Sequence, residues 1–221
     1  MNRPVGDTLL IFDCDGVLVD SEPLAGRVLH EALNELGLKI SLAESADRFT
    51  GLSMDTCARL AEEMLGAPLP ADFAREIERR SIESFRQSLR PIRGVEQLLR
   101  QLDPPRSVAS SGSHRKIRAS LRLTGLDRWF REESIFSADD VDCGKPAPDL
   151  FLHVSVRTGF PPERCIVIED SVPGVEAAVA AGMRVFGYAE RSEPRALRTA
   201  GATVFTGMSE LAALLAGPPA S

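Results

Sequence analysis

Lysine is scarce in this chain: residues 39, 116 and 145 are the three, and arginine supplies the rest of 26 basic side chains. Surface charge is therefore mostly arginine's work, and each lysine is worth placing individually. Cysteine is also sparse. Cys14, Cys57, Cys143 and Cys165 form no Cys-x-x-Cys pair, which excludes the common zinc and dithiol redox spacings, and a chain of 221 residues needs no disulfide to fold. All four are expected to be reduced. Long apolar runs are missing too. The first, Leu9 to Phe12, stops at an aspartate after four residues, and Met1 to Asp7 before it is short and polar. Neither a signal peptide nor a membrane span is expected, which makes a cytoplasmic protein the expectation. Positive charge is in deficit, 26 basic against 32 acidic side chains for a net −6. A field of that sign repels nucleic acid and anionic membrane, so neither is expected as a partner, and no protein partner is implied. Any anionic substrate must be held locally.

Several phosphate and nucleophile signatures are absent. Gly144-Lys145 is followed by Pro146 and has Asp139 where a P-loop needs its first glycine. A cysteine phosphatase requires arginine six positions after its thiolate, but Asp20, Glu63, Asp149 and Ser171 stand there. Cys14 reads as a small buried residue. There is no Gly-x-Ser-x-Gly elbow and no Gly-x-Gly-x-x-Gly fingerprint. His30, His114 and His153 are scattered and read as packing or surface residues.

What the chain does have is 43% hydrophobic and 26% charged residues, the balance of a folded protein with one large or two unequal domains. Short apolar runs recur at Thr8–Phe12, Ser107–Ala109, Ser134–Phe136, Cys165–Ile168, Arg184–Phe186 and Thr203–Phe205. Unbroken apolarity of this length suits strands buried on both faces. Helical patterns separate most of them, for instance Ile117 to Leu126 around Gly125, and Val172 to Ala181 before Gly182. Strand–helix repetition predicts a doubly wound, Rossmann-like α/β domain with a parallel sheet, whose ligands sit at the carboxyl ends of the strands.

One stretch breaks the alternation. Between Pro23 and Leu89 no strand is evident, while Leu24, Val28, Leu29, Ala32, Leu33 and Leu36 fall on one helical face. Cys57 to Leu65 forms a second stripe, and Phe73, Ile77 and Phe85 mark a third. The expected division is a core from residues 1–21 and 91–221, with an inserted helical cap domain over 22–90.

Two carboxylates, Asp13 and Asp15, stand two residues apart where the first strand ends. In extended chain such residues project the same way, so one can attack a reacting centre while the other moves a proton. Glu169 and Asp170 repeat the pattern after Ile166-Val167-Ile168. Adjacent strand ends would crowd four acids, at a repulsion of order 4 kcal/mol per pair near 4 Å and an effective dielectric near 20. A cation is needed, and hard oxygen donors without histidine or thiolate favour Mg²⁺. Solvated helix caps would explain the same acids without chemistry. Lys145 lies between Gly144 and Pro146 with Pro148 beyond, a stiffened segment that suits a fixed ammonium. Ser110-Ser111-Gly112-Ser113 offers hydroxyls and N–H groups to a phosphate at a strand-to-helix junction. The basic run Arg115, Lys116, Arg118 and Arg122 that follows suits anion steering and a solvated helical face equally.

Together, Asp-Cys-Asp-Gly-Val-Leu-Val-Asp-Ser-Glu at 13–22, Ser110, Gly-Lys-Pro-Ala-Pro-Asp at 144–149 and Ile-Glu-Asp-Ser at 168–171 closely resemble the four motifs of the haloacid dehalogenase superfamily, in order and with the insert in place. The resemblance spans about residues 8 to 190 and points to the branch with a small helical cap that includes sugar-phosphate phosphatases and β-phosphoglucomutase. It implies Asp13 as nucleophile and Asp15 as general acid/base whose backbone carbonyl also reaches Mg²⁺. Ser110, Ser111 and Lys145 would hold the phosphoryl group, and Asp13, Asp15, Glu169 and Asp170 would form the metal site. The stretch Arg48-Phe49-Thr50-Gly51-Leu52-Ser53 resembles the cap loop that faces the site in relatives, which makes Arg48, Gly51 and Ser53 candidates for substrate specificity.

Asp15 sets the chain apart from the dehalogenases, which lack that aspartate, and from phosphonoacetaldehyde hydrolases, which have alanine there. β-Phosphoglucomutase carries a histidine and an arginine at positions that fall on Ala25 and Met54 here. A Mg²⁺-dependent phosphatase of a small phosphorylated metabolite is therefore expected, ahead of a phosphomutase and of a catalytically silent ligand-binding relative.

Overall fold

A computed structural model of the chain describes residues 8–50 and 52–216. They divide into two units, one built from the chain up to Asp20 and from Pro91 onward, the other spanning Ser21–Arg90.

The first unit is a parallel sheet with helices between its strands. Its strands are β1 (Leu9–Phe12), β2 (Arg106–Ser110), β3 (Ile135–Ser137), β4 (Cys165–Glu169), β5 (Arg184–Tyr188) and β6 (Thr203–Phe205). The spatial order is β3-β2-β1-β4-β5-β6 and every pairing is parallel. Each apolar run expected to be a strand is one, and the order is that of a doubly wound sheet reversing direction around β1. All four β1 residues are buried, as a central strand covered on both faces requires. Helices α5 (Val95–Gln101), α6 (His114–Thr124), α7 (Asp149–Thr158), α8 (Val172–Ala180), α9 (Pro194–Ala200) and α10 (Met208–Ala216) complete the unit. Leu9, Ile11, Phe151, Val154, Val167 and Val175 lie within one apolar cluster of the core.

The sheet order decides where chemistry collects. β1 lies between β2 and β4, with Phe12 in register with Val108 on one side and Ile168 on the other. The carboxyl ends of these strands therefore emerge side by side. After β1 the chain folds into a tight loop in which Gly16, at φ +78°, donates its N–H to the Val19 carbonyl (2.9 Å). That positive φ is cheap only for glycine. Val19 bridges to Pro91 and Leu18 accepts the Ile92 N–H (2.9 Å), so the chain leaves for the helical unit and returns at adjacent points.

The second unit holds α1 (Glu22–Glu35), α2 (Leu42–Phe49), α3 (Met54–Leu65) and α4 (Phe73–Ser88) around a core of its own that includes Val28, Leu33, Phe49, Ala61 and Ile77. The three apolar stripes are the buried faces of α1, α3 and α4. Leu36 departs from that pattern: it caps α1 and is 40% exposed. Helix α2 was not anticipated, although Ser41 and Glu44 form a reciprocal capping box at its start. Among the described residues no helix is long and apolar enough to cross a membrane.

Candidate active site

Asp13 follows β1 directly, and its N–H donates to the Ile168 carbonyl of β4 (2.9 Å). Its carboxylate is only 10% exposed at the side chain and accepts from the Lys145 ammonium at 2.6 Å. Lys145 comes from the segment between β3 and α7 and is 4% exposed. Its three donors find three acceptors: Asp13 Oδ1 at 2.6 Å, Glu169 Oε1 at 2.6 Å and the Ala109 carbonyl of β2 at 3.0 Å. The ammonium thus links the ends of three adjacent strands, and the Phe151 ring lies 5.2 Å from it.

One cation against two buried carboxylates leaves net negative charge. Burial is the main reason that the Asp13 carboxyl is pushed up to about 7; Lys145 opposes the rise, and the Glu169 and Asp15 carboxylates add to it. Burial alone would depress Lys145, but Asp13 and Glu169 outweigh it and hold the ammonium above its usual range. Cys14, between the two aspartates, is buried, and desolvation followed by repulsion from Asp15 and Asp13 keeps its thiol well above its usual range. It is a neutral packing group rather than a nucleophile.

Glu169 is 1% exposed. One oxygen accepts from Lys145; the other accepts the Asp170 and Ser171 N–H groups and the Ser171 hydroxyl, each at 2.9 Å. Both oxygens are thus engaged, one by Lys145 and the other by donors at the start of α8. The carboxylate anchors Lys145 and the turn into the helix. Asp170, next along, rests its carboxylate on Gly16, where a Cβ would fall 1.9 Å from Oδ2.

Ser110 ends β2 and is 1% exposed; its Oγ accepts the Gly112 N–H at 3.1 Å. Ser111 is exposed. For Lys116 a site role and a solvated one are equally open from its place in the chain, yet its ammonium donates to Asp15 Oδ2 at 2.7 Å. No local signal marks this pairing, because the partners are 101 positions apart.

The specificity candidates lie in the helical unit. Arg48 is exposed in the last turn of α2. Ser53 is the N-cap of α3, where its Oγ accepts the Thr56 N–H at 3.2 Å. Gly51 lies outside the described residues. Of the histidines, His114 pairs with Asp140 at 2.9 Å and His153 meets the Phe136 ring edge-on.

Among the described residues no group of three or more His, Cys, Asp or Glu side chains is arranged to hold a metal. Mg²⁺ asks for less, one or two carboxylates with water and substrate oxygens making up the rest. The carboxylates of Asp13, one oxygen of which also accepts from Lys145, and of Asp170, with the carbonyl of Asp15, give an all-oxygen set that fits such an ion.

Comparison with known proteins gives the same picture. Residues 10–188 match the family model described as haloacid dehalogenase-like hydrolase. The 6-phosphogluconate phosphatase of Escherichia coli K12 is 29% identical over 203 residues, 91% of each chain. A haloacid dehalogenase-like protein of unknown function from Agrobacterium tumefaciens superposes with a TM-score of 0.81 at 37% identity, over 96% of this chain and 98% of its own. A family hydrolase from Deinococcus radiodurans, solved with phosphate and sodium bound, gives 0.77 at 33% identity over 96% of both chains. With the expected parallel α/β sheet and a family match over most of its length, the chain belongs to the haloacid dehalogenase-like hydrolases.

Proposed function

We propose that this hydrolase is a Mg²⁺-dependent phosphatase that cleaves a small phosphorylated metabolite, a sugar phosphate foremost, through an aspartyl-phosphate on Asp13. The observation that carries the reading is Asp13 itself: a buried carboxylate held by one oxygen on a fixed ammonium, with Asp15 two residues on and Ser110 ending the neighbouring strand. Phosphatases among its relatives support the same class of chemistry, the phosphoric monoester being the bond attacked.

A phosphate dianion approaching Asp13 meets strong repulsion in so buried a setting. Lys145 offsets part of it. The Asp13 and Asp170 carboxylates with the Asp15 carbonyl would hold Mg²⁺, which supplies further positive charge to the phosphoryl oxygens when bound. An Asp13 oxygen attacks phosphorus, forming the O–P bond as the ester O–P bond breaks, while Asp15 donates a proton to the departing alkoxide. Water then attacks the aspartyl-phosphate, Asp15 takes its proton, and inorganic phosphate leaves with Asp13 regenerated. Ser110 and the following N–H groups would hold the phosphoryl oxygens in line. Glu169 serves as the anchor of Lys145.

The test is Mg²⁺-dependent phosphate release from p-nitrophenyl phosphate and a panel of sugar phosphates that includes 6-phosphogluconate, with Asp13→Asn in parallel. Turnover that needs Mg²⁺ and vanishes in the variant is the expected result. No turnover on any ester, or turnover indifferent to the substitution, would favour a silent binding protein.

A further inference from the structure

Lys116 stands in the first turn of α6, three residues after its N-cap Ser113, whose Oγ accepts the Lys116 N–H at 3.2 Å. That cap fixes where the helix begins and so where this side chain starts. From there the lysine runs back past Gly112 to Asp15. A Cβ on Gly112 would meet Lys116 Cδ at 3.3 Å, Ser110 Oγ at 3.6 Å and Asp15 Oδ2 at 3.8 Å. The bare glycine leaves the three side chains room to converge. Lys116 and Asp15 are 21% and 26% exposed, with 2.7 Å between ammonium and carboxylate. A charge-assisted bond of this length in a half-buried place is among the stronger polar contacts a side chain makes.

The two ammonium groups thus divide the acids. Lys145 takes Asp13 and Glu169, whereas Lys116 takes Asp15. Asp15 is flanked by the buried Cys14 and by Gly16, and its carboxylate bonds to the Lys116 ammonium at 2.7 Å. We propose that Lys116 is a positioning residue that sets the orientation in which Asp15 meets the leaving oxygen, and that it acts on proton transfer through Asp15 rather than on the phosphoryl group. This rests on the phosphatase reading, in which Asp15 is the general acid. It goes further by giving a role to a lysine outside the family-like motifs.

Leaving groups separate the roles. An alkoxide departs only with a proton, whereas p-nitrophenolate departs without one. The experiment measures kcat and KM with p-nitrophenyl phosphate and with the best sugar phosphate of the panel, for wild type, Lys116→Met and Lys116→Arg. In Lys116→Met the sugar phosphate is expected to lose roughly 10- to 100-fold in kcat/KM, which reports phosphorylation of Asp13 and not the later hydrolysis that both esters share, and the aryl ester under about 3-fold. Lys116→Arg should restore a large part of the sugar phosphate rate. Equal losses on both esters would overturn the proposal in favour of a structural role, and a rise in KM on both would make Lys116 a phosphate binder. An unchanged Lys116→Met would overturn it as well. Thermal unfolding checks that each variant is folded; where the methionine variant is not, Lys116→Gln takes its place. Wild-type enzyme inert on every ester would overturn the phosphatase reading and this inference together, whereas active wild type with equal losses overturns the inference alone.

Discussion

Gly174 lies against the carboxylate of Glu169: a Cβ added to the glycine would fall 1.9 Å from Oε1 and 2.4 Å from Oε2. Glu169 in turn holds Lys145 at 2.6 Å, and Lys145 holds Asp13 at 2.6 Å. A methyl group in the first turn of α8 is therefore three contacts from the proposed nucleophile. Gly174→Ala should lower kcat by roughly 100-fold, the scale of a misplacement of about 1 Å. Steady-state kinetics on p-nitrophenyl phosphate would show it. Wild-type kcat in a folded Gly174→Ala protein would mean that the Glu169 anchor does not matter.

Gly16 carries two constraints at once. Its φ is +78°, and a Cβ there would overlap Asp170 Oδ2 at 1.9 Å. Gly16→Ala should cost about 1–2 kcal/mol from backbone strain alone, visible in urea unfolding. Displacing Asp170 should also weaken Mg²⁺ binding, which isothermal titration would record. Unaltered Mg²⁺ affinity in this variant would argue against Asp170 as a ligand.

The elevated Asp13 carboxyl makes stability depend on pH and metal together. Its folded value of about 7 stands above the ordinary 3.8, so between these values the folded state binds more protons than the unfolded chain. The contribution of this group to stability accordingly falls as pH rises through that window, and its penalty is complete above about 7. Mg²⁺ bound as proposed would compete with the proton for the same oxygens. Its increment in Tm should be larger near about pH 8 than near about pH 5, and Asp13→Asn should flatten the difference. An increment independent of pH in the wild type would remove Asp13 from the metal site.

With β-glucose 1-phosphate the enzyme should release phosphate without forming glucose 6-phosphate, because Ala25 and Met54 stand where the mutase features of relatives fall. Neither side chain carries a proton donor or a positive charge. Coupling the reaction to glucose 6-phosphate oxidation detects isomerisation directly, and a sustained signal would identify a mutase.

The strands were legible because a central parallel strand is apolar on both faces, and a run such as Leu9–Phe12 needs no partner to be recognised. Helices α1, α3 and α4 showed through their one-sided stripes. Helix α2 shows no such stripe, although Ser41 and Glu44 carry a capping signature; eight residues with two buried side chains leave little periodicity to see. The acids were legible as a cluster but their duties were not. Four carboxylates of one charge look alike in a list of residues, and only the hydrogen bonds show Asp13 and Glu169 sharing Lys145 while Asp15 meets Lys116.

Local chemistry in the chain alone determined the parallel sheet, the inserted helices, the acids at two strand ends and the need for a cation beside them. These follow from burial and charge, which act on each residue where it stands. Which cation meets which acid was decided by tertiary structure. Lys116 and Lys145 are the same residue type, and their partners lie 101 and up to 132 positions away. Distances of a few ångströms between such segments are set by the order of strands in the sheet, a property of the whole domain that no stretch of sequence contains.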